Sequence, residues 1–142
     1  DLSVVSYDGT EDITIKNDAH IEKSVIIKTI GSFTLLSTVK TLIAERIGGE
    51  FTLKAKADNV ILRGEELHVS VEADTGNVYI EGKNAVLDIR AATEKILANN
   101  VTAVINNYSE NTVTVTLANG TKTEIAPQKS YDVHENLIYD LR

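Results

Sequence analysis

The chain has 142 residues, of which 42% are hydrophobic and 25% are charged, and its formal net charge is −7. This hydrophobic fraction excludes an intrinsically disordered chain, and the length predicts one domain, residues 1–142. The negative charge argues against a nucleic-acid partner, because affinity for the phosphate backbone depends largely on lysine and arginine.

The absence of cysteine excludes disulfides, thiolate metal sites and cysteine nucleophiles. Many extracellular proteins of Gram-positive bacteria avoid cysteine, so this absence favours an extracellular location. No stretch approaches the roughly 18 consecutive apolar residues of a membrane span, so membrane insertion is not expected. The first residue is Asp1 and not methionine, which indicates a processed mature protein or a part of a longer chain.

Residues 1–32 are predicted to contain the first strands and an N-terminal cap over residues 2–15. From residue 33 to residue 105, pairs of apolar residues recur every nine positions. The two members of a pair are two positions apart, so both side chains lie on the same face of a strand. The pairs are Phe33 and Leu35, Leu42 and Ala44, Phe51 and Leu53, Val60 and Leu62, Val69 and Val71, Val78 and Ile80, Leu87 and Ile89, and Ile96 and Ala98.

A fixed short period with turn-forming residues between the pairs predicts an all-β fold, a parallel β-solenoid or β-helix in which each coil stacks on the next. One coil can consist of two nine-residue units or of three, and the sequence is compatible with both. An antiparallel β-sandwich is the alternative fold, since its short strands also have turns at comparable spacing. Residues 37–49 and 91–97 are compatible with short helices that would interrupt the ladder.

The C-terminal residues 106–142 change character and predict a cap. Alternating strands at Val113–Leu117 and Thr121–Ile125 flank an Asn119-Gly120 turn, which is typical of a β-hairpin. Pro127 and residues 131–133 indicate a further edge segment, because proline is confined to the edges and ends of strands. Such a cap would cover the open edge of the last coil.

Metal and cofactor binding are not expected. The three histidines, His20, His68 and His134, have no partner at metal-ligand spacing. Two acidic clusters, which comprise Asp8, Glu11 and Asp12 and then Glu72 and Asp74, match neither an EF-hand loop nor a calcium-binding nine-residue repeat.

A catalytic site is not predicted either, because the sequence contains no nucleophile elbow, phosphate loop or dinucleotide fingerprint. Glycosidic bond cleavage needs only two carboxylates at a defined separation. The alternative function is therefore a fragment of a polysaccharide-active enzyme with a carboxylate pair on one face of the solenoid.

Two residues are the candidate ligand-binding positions. Tyr79 points outward if Val78 and Ile80 point inward, and an aromatic ring can pack against a sugar. His68 has an outward position between Leu67 and Val69, where stacking of the coils can place it beside a carboxylate or beside Tyr79. The other tyrosines are Tyr7, Tyr108, Tyr131 and Tyr139.

The segments Ala57-Asp58-Asn59-Val60-Ile61-Leu62-Arg63-Gly64 and Gly76-Asn77-Val78-Tyr79-Ile80-Glu81-Gly82 resemble right-handed β-helix modules of bacterial cell-surface proteins, among them S-layer-associated proteins and tapirin-like adhesins. The resemblance covers about half of the chain. It implies display on a bacterial cell surface and a non-catalytic function, either as a structural spacer or in adhesion. The implied partner is a polysaccharide, cellulose included, or a cell-surface protein.

Overall fold

The computed structural model describes residues 13–15, 21–27, 32–45, 48–99 and 101–141. All regular secondary structure in these ranges is β-strand. The strands are β1 (Ile13–Ile15), β2 (Ile21–Ile27), β3 (Phe33–Leu35), β4 (Val39–Ala44), β5 (Glu50–Leu53), β6 (Ala57–Leu62), β7 (His68–Val71), β8 (Thr75–Ile80), β9 (Ala85–Ile89), β10 (Thr93–Ala98), β11 (Ala103–Asn107), β12 (Val113–Leu117), β13 (Lys122–Ile125), β14 (Lys129–Asp132) and β15 (Leu137–Asp140). No helix in the described ranges is long and apolar enough to cross a membrane.

The strands form two sheets that the chain visits alternately. Sheet A has the order β13-β12-β10-β8-β6-β4-β2, and sheet B has the order β1-β3-β5-β7-β9-β11-β14-β15. Phe33 pairs with Phe51 and Phe51 with Val69, so one coil contains two nine-residue units and one strand of each sheet. The pairing from β1 to β12 is parallel, which confirms the predicted β-solenoid, with about five turns. Of the two predicted coil lengths, the structure has the shorter, and the antiparallel sandwich is not formed.

The core lies between the two sheets and consists of the apolar ladder. All sixteen ladder residues face inward, and none is more than 1% exposed. Full burial of one such side chain contributes about 1.5–3 kcal/mol, which a single coil could not obtain without neighbours above and below it. The rings of Phe33 and Phe51, in neighbouring coils, contact each other in a tilted arrangement with centroids 6.0 Å apart, within the range that favours aromatic pairs.

The helices considered at residues 37–49 and 91–97 are not formed, since these segments contain β4 and β10. Stacking outweighs the local capping signal, because Val39 and Leu42 both bury their side chains on the coil that follows. Gly48 and Gly49, at the end of the first of these segments, have φ angles of 73° and 112° and form a corner of the solenoid.

The corners of successive coils also stack with the period of one coil. Gly48, Glu66 and Asn84 occupy equivalent corner positions and all have positive φ, at 73°, 57° and 58°. At another corner, the coils approach so closely that a Cβ added to Gly82 would lie 1.8 Å from the carbonyl oxygen of Gly64. Only glycine can occupy that position without displacing the backbone.

The C-terminal strands end the solenoid by switching to antiparallel pairing. The predicted hairpin is confirmed, since β12 pairs antiparallel with β13 and the turn contains Gly120 at φ 85°. The predicted edge segment at residues 131–133 is wrong in one respect. Its strand, β14, lies between β11 and β15 inside sheet B, because β15 adds a further strand that the sequence pattern does not indicate.

A buried asparagine connects the last coil to the cap. Asn107 occupies the inward position that Leu35, Leu53, Val71 and Ile89 occupy in earlier coils, and it is fully buried. Its Nδ2 donates to the carbonyl oxygens of Asn111 at 2.7 Å and Ile125 at 2.9 Å. Its Oδ1 accepts from the backbone N–H and hydroxyl of Ser109, at 3.0 and 2.6 Å. The polar side chain is therefore hydrogen-bonded on both sides, as burial requires.

The predicted N-terminal cap over residues 2–15 lies almost entirely outside the described residues. Within it, only β1 is described, and it pairs parallel with β3.

Candidate functional site

The outer face of sheet B has mostly polar side chains, which form three columns that cross the strands. Residues one coil apart occupy the same column, because parallel partners lie side by side. The columns contain Glu50, His68 and Val86; Thr34, Thr52, Ser70, Asp88 and Asn106; and Lys54, Glu72, Arg90 and Tyr108. Neighbouring strands lie about 4.8 Å apart, so hydrogen-bonding groups recur at that interval along the solenoid.

A depression of about 460 Å³ opens on this face across β5, β7 and β9, and we call it the sheet B depression. It is lined by Glu50, Phe51, Thr52, His68, Ser70, Glu72, Asp88 and Arg90. The lining has three carboxylates, two hydroxyls, an imidazole and a guanidinium, so donors and acceptors face the same space. Such a lining suits a ligand that is rich in polar groups.

His68 and Asp88 form the centre of a hydrogen-bond chain on this face. His68 Nε2 donates to Asp88 Oδ2 at 2.7 Å, since a carboxylate can only accept. The other carboxylate oxygen, Oδ1, accepts from Asn106 Nδ2 at 2.8 Å, and Asn106 Oδ1 accepts from the hydroxyl of Ser130. Asp88 is only 8% exposed. Its two oxygens are held in place by these hydrogen bonds.

The second ring nitrogen of His68 lies on the side of Glu50. His68 Nδ1 lies 4.0 Å from Glu50 Oε1, beyond hydrogen-bonding distance. In the tautomer set by Asp88, this nitrogen is an acceptor. The imidazole is thus fixed on one side and available on the other.

Arg90 is held at the opposite side of the sheet B depression by an aromatic ring. Its Cζ atom lies 4.2 Å from the centroid of the Tyr108 ring, which is within the range of a cation–π contact. The contact fixes the plane of the guanidinium, whose fork of donors suits paired hydroxyls or a carboxylate. On the same side, Glu72 Oε2 accepts from the hydroxyl of Ser70 at 3.1 Å.

The outer face of sheet A has a different composition. Its central column is largely apolar and contains Ile43, Ile61, Tyr79, Leu97 and Thr116. Beside it, the Arg63 guanidinium donates to Glu45 at 3.1 Å and to Glu81 at 3.3 Å, joining three coils. These hydrogen bonds raise the pKa of Arg63 above its ordinary value. Arg63, Glu45 and Glu81 are therefore already paired with one another.

The structure places the two predicted ligand-binding residues on opposite sheets. His68 lies on sheet B, beside a carboxylate as one of the two predicted arrangements has it, and half-buried Tyr79 lies on sheet A. The remaining described tyrosines are also separated. Tyr131 is fully buried, and Tyr139 is exposed on the last strand. The described tyrosines thus share no single platform.

Of the two acidic clusters, Glu72 and Asp74 lie in the described part of the chain. No group of three histidine, aspartate or glutamate side chains there is arranged to hold a metal ion. Asp74 Oδ1 instead accepts from the backbone N–H of Ala92 at 3.3 Å in the next coil. His134 is exposed near the cap. Tyr7, Asp8, Glu11, Asp12 and His20 lie outside the described residues.

Sequence reasoning missed most of the sheet B depression, including Glu50, Asp88 and Arg90. The signal that could have found them is the length of the coil, which aligns Glu50 with His68 and Ser70 with Asp88. Comparisons with protein-family models, with curated proteins and with solved structures give no significant match, so the functional argument depends on the residues of this chain.

Proposed function

We propose that the chain is a non-catalytic adhesive module of a bacterial cell-surface protein, and that it binds polysaccharide through the outer face of sheet B. The observation that carries the proposal is the sheet B depression, where hydrogen-bond donors and acceptors of several kinds meet on a rigid sheet. The lack of cysteine and the resemblance to β-helix modules of bacterial surface proteins support the extracellular location.

Sugars suit this surface because each ring carries hydroxyls that both donate and accept hydrogen bonds. Carboxylates of Glu50 and Glu72 supply acceptors, and the guanidinium of Arg90 supplies a fork of donors. Hydrogen bonds to charged groups contribute about 1.5–3 kcal/mol, roughly twice those between neutral groups. A few such bonds can hold a sugar without a broad aromatic platform.

The columns also suit an extended polymer. Polar groups recur about every 4.8 Å along the solenoid axis, which is close to the length of one sugar unit in an extended polysaccharide. A polymer that runs along the axis would therefore meet Thr52, Ser70 and Asp88 with successive sugar rings. Repetition of weak contacts would raise the overall affinity, as multivalency does in general.

The experiment is a pull-down of the chain on microcrystalline cellulose, chitin and insoluble xylan, with the bound fraction measured over a range of protein concentrations. The test variant Glu72→Ala/Arg90→Ala removes one acceptor and one donor of the sheet B depression. The matched control, Glu81→Ala/Arg63→Ala, removes the same residue types from the outer face of sheet A. We expect the test variant to bind about tenfold or more weakly and the control to bind like the wild type.

Two outcomes would contradict the proposal. If the wild type binds none of the three polymers, the chain is better explained as a rigid spacer. If both double variants lose affinity equally, the binding does not depend on the sheet B depression. Circular dichroism of each variant checks that the fold is retained.

The alternative function, an enzyme that cleaves polysaccharide, is favoured by one observation. Glu50, Glu72 and Asp88 line the same depression, and glycoside hydrolases use a pair of carboxyl groups. An assay for soluble sugars released from the same three polymers distinguishes the functions. Sustained release that is abolished by Glu72→Gln and by Asp88→Asn would replace adhesion with catalysis.

A further inference from the structure

The two terminal strands of the cap differ in how their edges are protected. β13 ends sheet A with exposed Lys122 and Glu124, and charged side chains of this kind discourage pairing with another chain. β15 ends sheet B with Leu137, Ile138 and Tyr139, which are 59%, 48% and 47% exposed. These are three of the four most exposed large hydrophobic residues in the described part of the chain.

The backbone of β15 has an open side that can accept a further strand. Among the described strands, only β14 pairs with β15, and it does so antiparallel. Leu141 N–H donates to the carbonyl oxygen of Gln128 at 3.1 Å, so the backbone groups of Leu141 face β14. Alternate residues of a strand face the same edge, so the backbone groups of Tyr139 face β14 as well. The N–H and C=O groups of Ile138 and Asp140 therefore face the open side.

We infer that β15 pairs antiparallel with β15 of a second copy of this chain, about a twofold axis centred on Ile138. In this register, the two Ile138 residues exchange a pair of backbone hydrogen bonds. Leu137 of one copy lies opposite Tyr139 of the other on the outer face, as their pairing with Asp132 and Ser130 places both on that face. The exposed hydrophobic residues of the strand are thus complementary to themselves.

Charge disfavours one alternative register. A twofold axis centred on Asp140 would place two carboxylates directly opposite each other, which destabilises a strand pair. Centring the axis on Ile138 keeps Asp140 apart from its symmetry mate and close to Lys129, with which it forms an ion pair. The register centred on Ile138 therefore has no like charges directly opposite each other.

The interface is small compared with the roughly 1,600 Å² that stable complexes usually bury, so the dimer should be weak. We expect a dissociation constant between about 1 µM and 1 mM. Each copy has a net charge of −7, so added salt should strengthen the association by screening the repulsion between copies.

Sedimentation equilibrium of the wild-type chain over this concentration range tests the inference. Ile138→Lys places two positive charges opposite each other at the axis and should shift the chain to monomer. The matched control is Leu36→Lys, which changes another exposed leucine, 39% exposed, far from β15. It should leave the monomer–dimer equilibrium unchanged. Circular dichroism of both variants checks that the fold is retained.

A second measurement uses the absence of cysteine from the chain. Paired residues of this kind have Cα atoms about 5.5 Å apart, which a disulfide can span. Under mild oxidation, Ile138→Cys should therefore form a covalent dimer at least about tenfold faster than Leu36→Cys, as expected when effective concentration is raised by pairing. A wild-type chain that remains monomeric up to about 1 mM, or equal cross-linking of the two variants, would overturn the inference.

Discussion

The stacked coils and the C-terminal cap fill their inward positions in different ways. In the coils, the same inward positions hold apolar residues in one coil after another, and the corners approach so closely that Gly82 nearly touches Gly64. In the cap, the chain reverses direction, and one inward position of β11 is occupied by Asn107, whose side chain makes four hydrogen bonds. In the coils, apolar packing recurs at the inward positions, whereas the end of the repeat has a specific polar connection at one of them.

The largest expected effect comes from crowding a coil corner. Gly82→Ala places a methyl group within 1.8 Å of the carbonyl oxygen of Gly64, so the backbone of one coil must shift. We expect a loss of about 3 kcal/mol or more in the free energy of unfolding, at the upper end of the usual cost of overpacking. Urea unfolding followed by circular dichroism measures it.

Gly120→Ala is the matched change in the cap. No atom lies within 4 Å of a Cβ added at Gly120, but its φ of 85° disfavours alanine. The cost should therefore be about 1 kcal/mol, from backbone conformation alone. Equal losses at Gly82 and Gly120 would show that close contact between coils is not what constrains the corner.

The next effect is expected where the repeat ends. Asn107→Ala removes the hydrogen bonds to the carbonyl oxygen of Ile125 and from the backbone N–H of Ser109, whereas the Ser109 hydroxyl and the Asn111 carbonyl oxygen still bond to each other. Each buried polar group left unsatisfied costs about 1–3 kcal/mol, so we expect a total loss of about 2–3 kcal/mol after partial relaxation. The same unfolding measurement applies.

Asn77→Ala is the control for this prediction, since Asn77 belongs to the repeated coils. Its Nδ2 donates to Asn59 Oδ1 at 3.3 Å on the partly exposed outer face of sheet A, where water can replace the bond. A loss of only about 0.5 kcal/mol is expected. A larger loss at Asn77 than at Asn107 would contradict the assignment of Asn107 as the connection between the last coil and the cap.

The stacked coils could be predicted from the sequence because each coil repeats one physical requirement. Val69 and Val71 point inward for the same reason as Val78 and Ile80, which is burial of apolar side chains in the core. The nine-residue spacing of the pairs follows from this repeated requirement. The spacing cannot select the number of sides in a coil, since a nine-residue side fits a coil of two sides or of three. The helices considered around Val39 and Thr93 are not formed. Helix caps and glycines influence only the local backbone, whereas stacking stabilises contacts between coils.

The candidate site was harder to predict because it depends on that unselected coil length. His68 and Asp88 are 20 residues apart and touch only when two nine-residue units make one coil. Individually, each is an ordinary polar residue at an outward position of a strand. The last strand, β15, was missed for a different reason: all four of its residues are exposed, so they lack the alternation of buried and exposed positions that marks a strand.

The smallest effect is expected at residues with positive φ, where a corner of the coils is compared with a turn of the cap. Glu66 has a φ of 57°, a conformation that asparagine adopts more readily and that Asn84 adopts one coil later. Glu66→Asn should therefore raise the free energy of unfolding by about 0.5–1 kcal/mol.

Gln128 has a similar φ of 65° in the cap, but its Nε2 donates to the carbonyl oxygen of Tyr108 at 3.3 Å. Gln128→Asn relieves the same backbone preference and shortens the side chain that makes this bond, so the two effects offset each other and the net gain should be close to zero. A gain at Gln128 as large as at Glu66 would mean that backbone conformation alone governs both positions. In that case the turns of the cap would obey the same backbone preference as the corners of the coils.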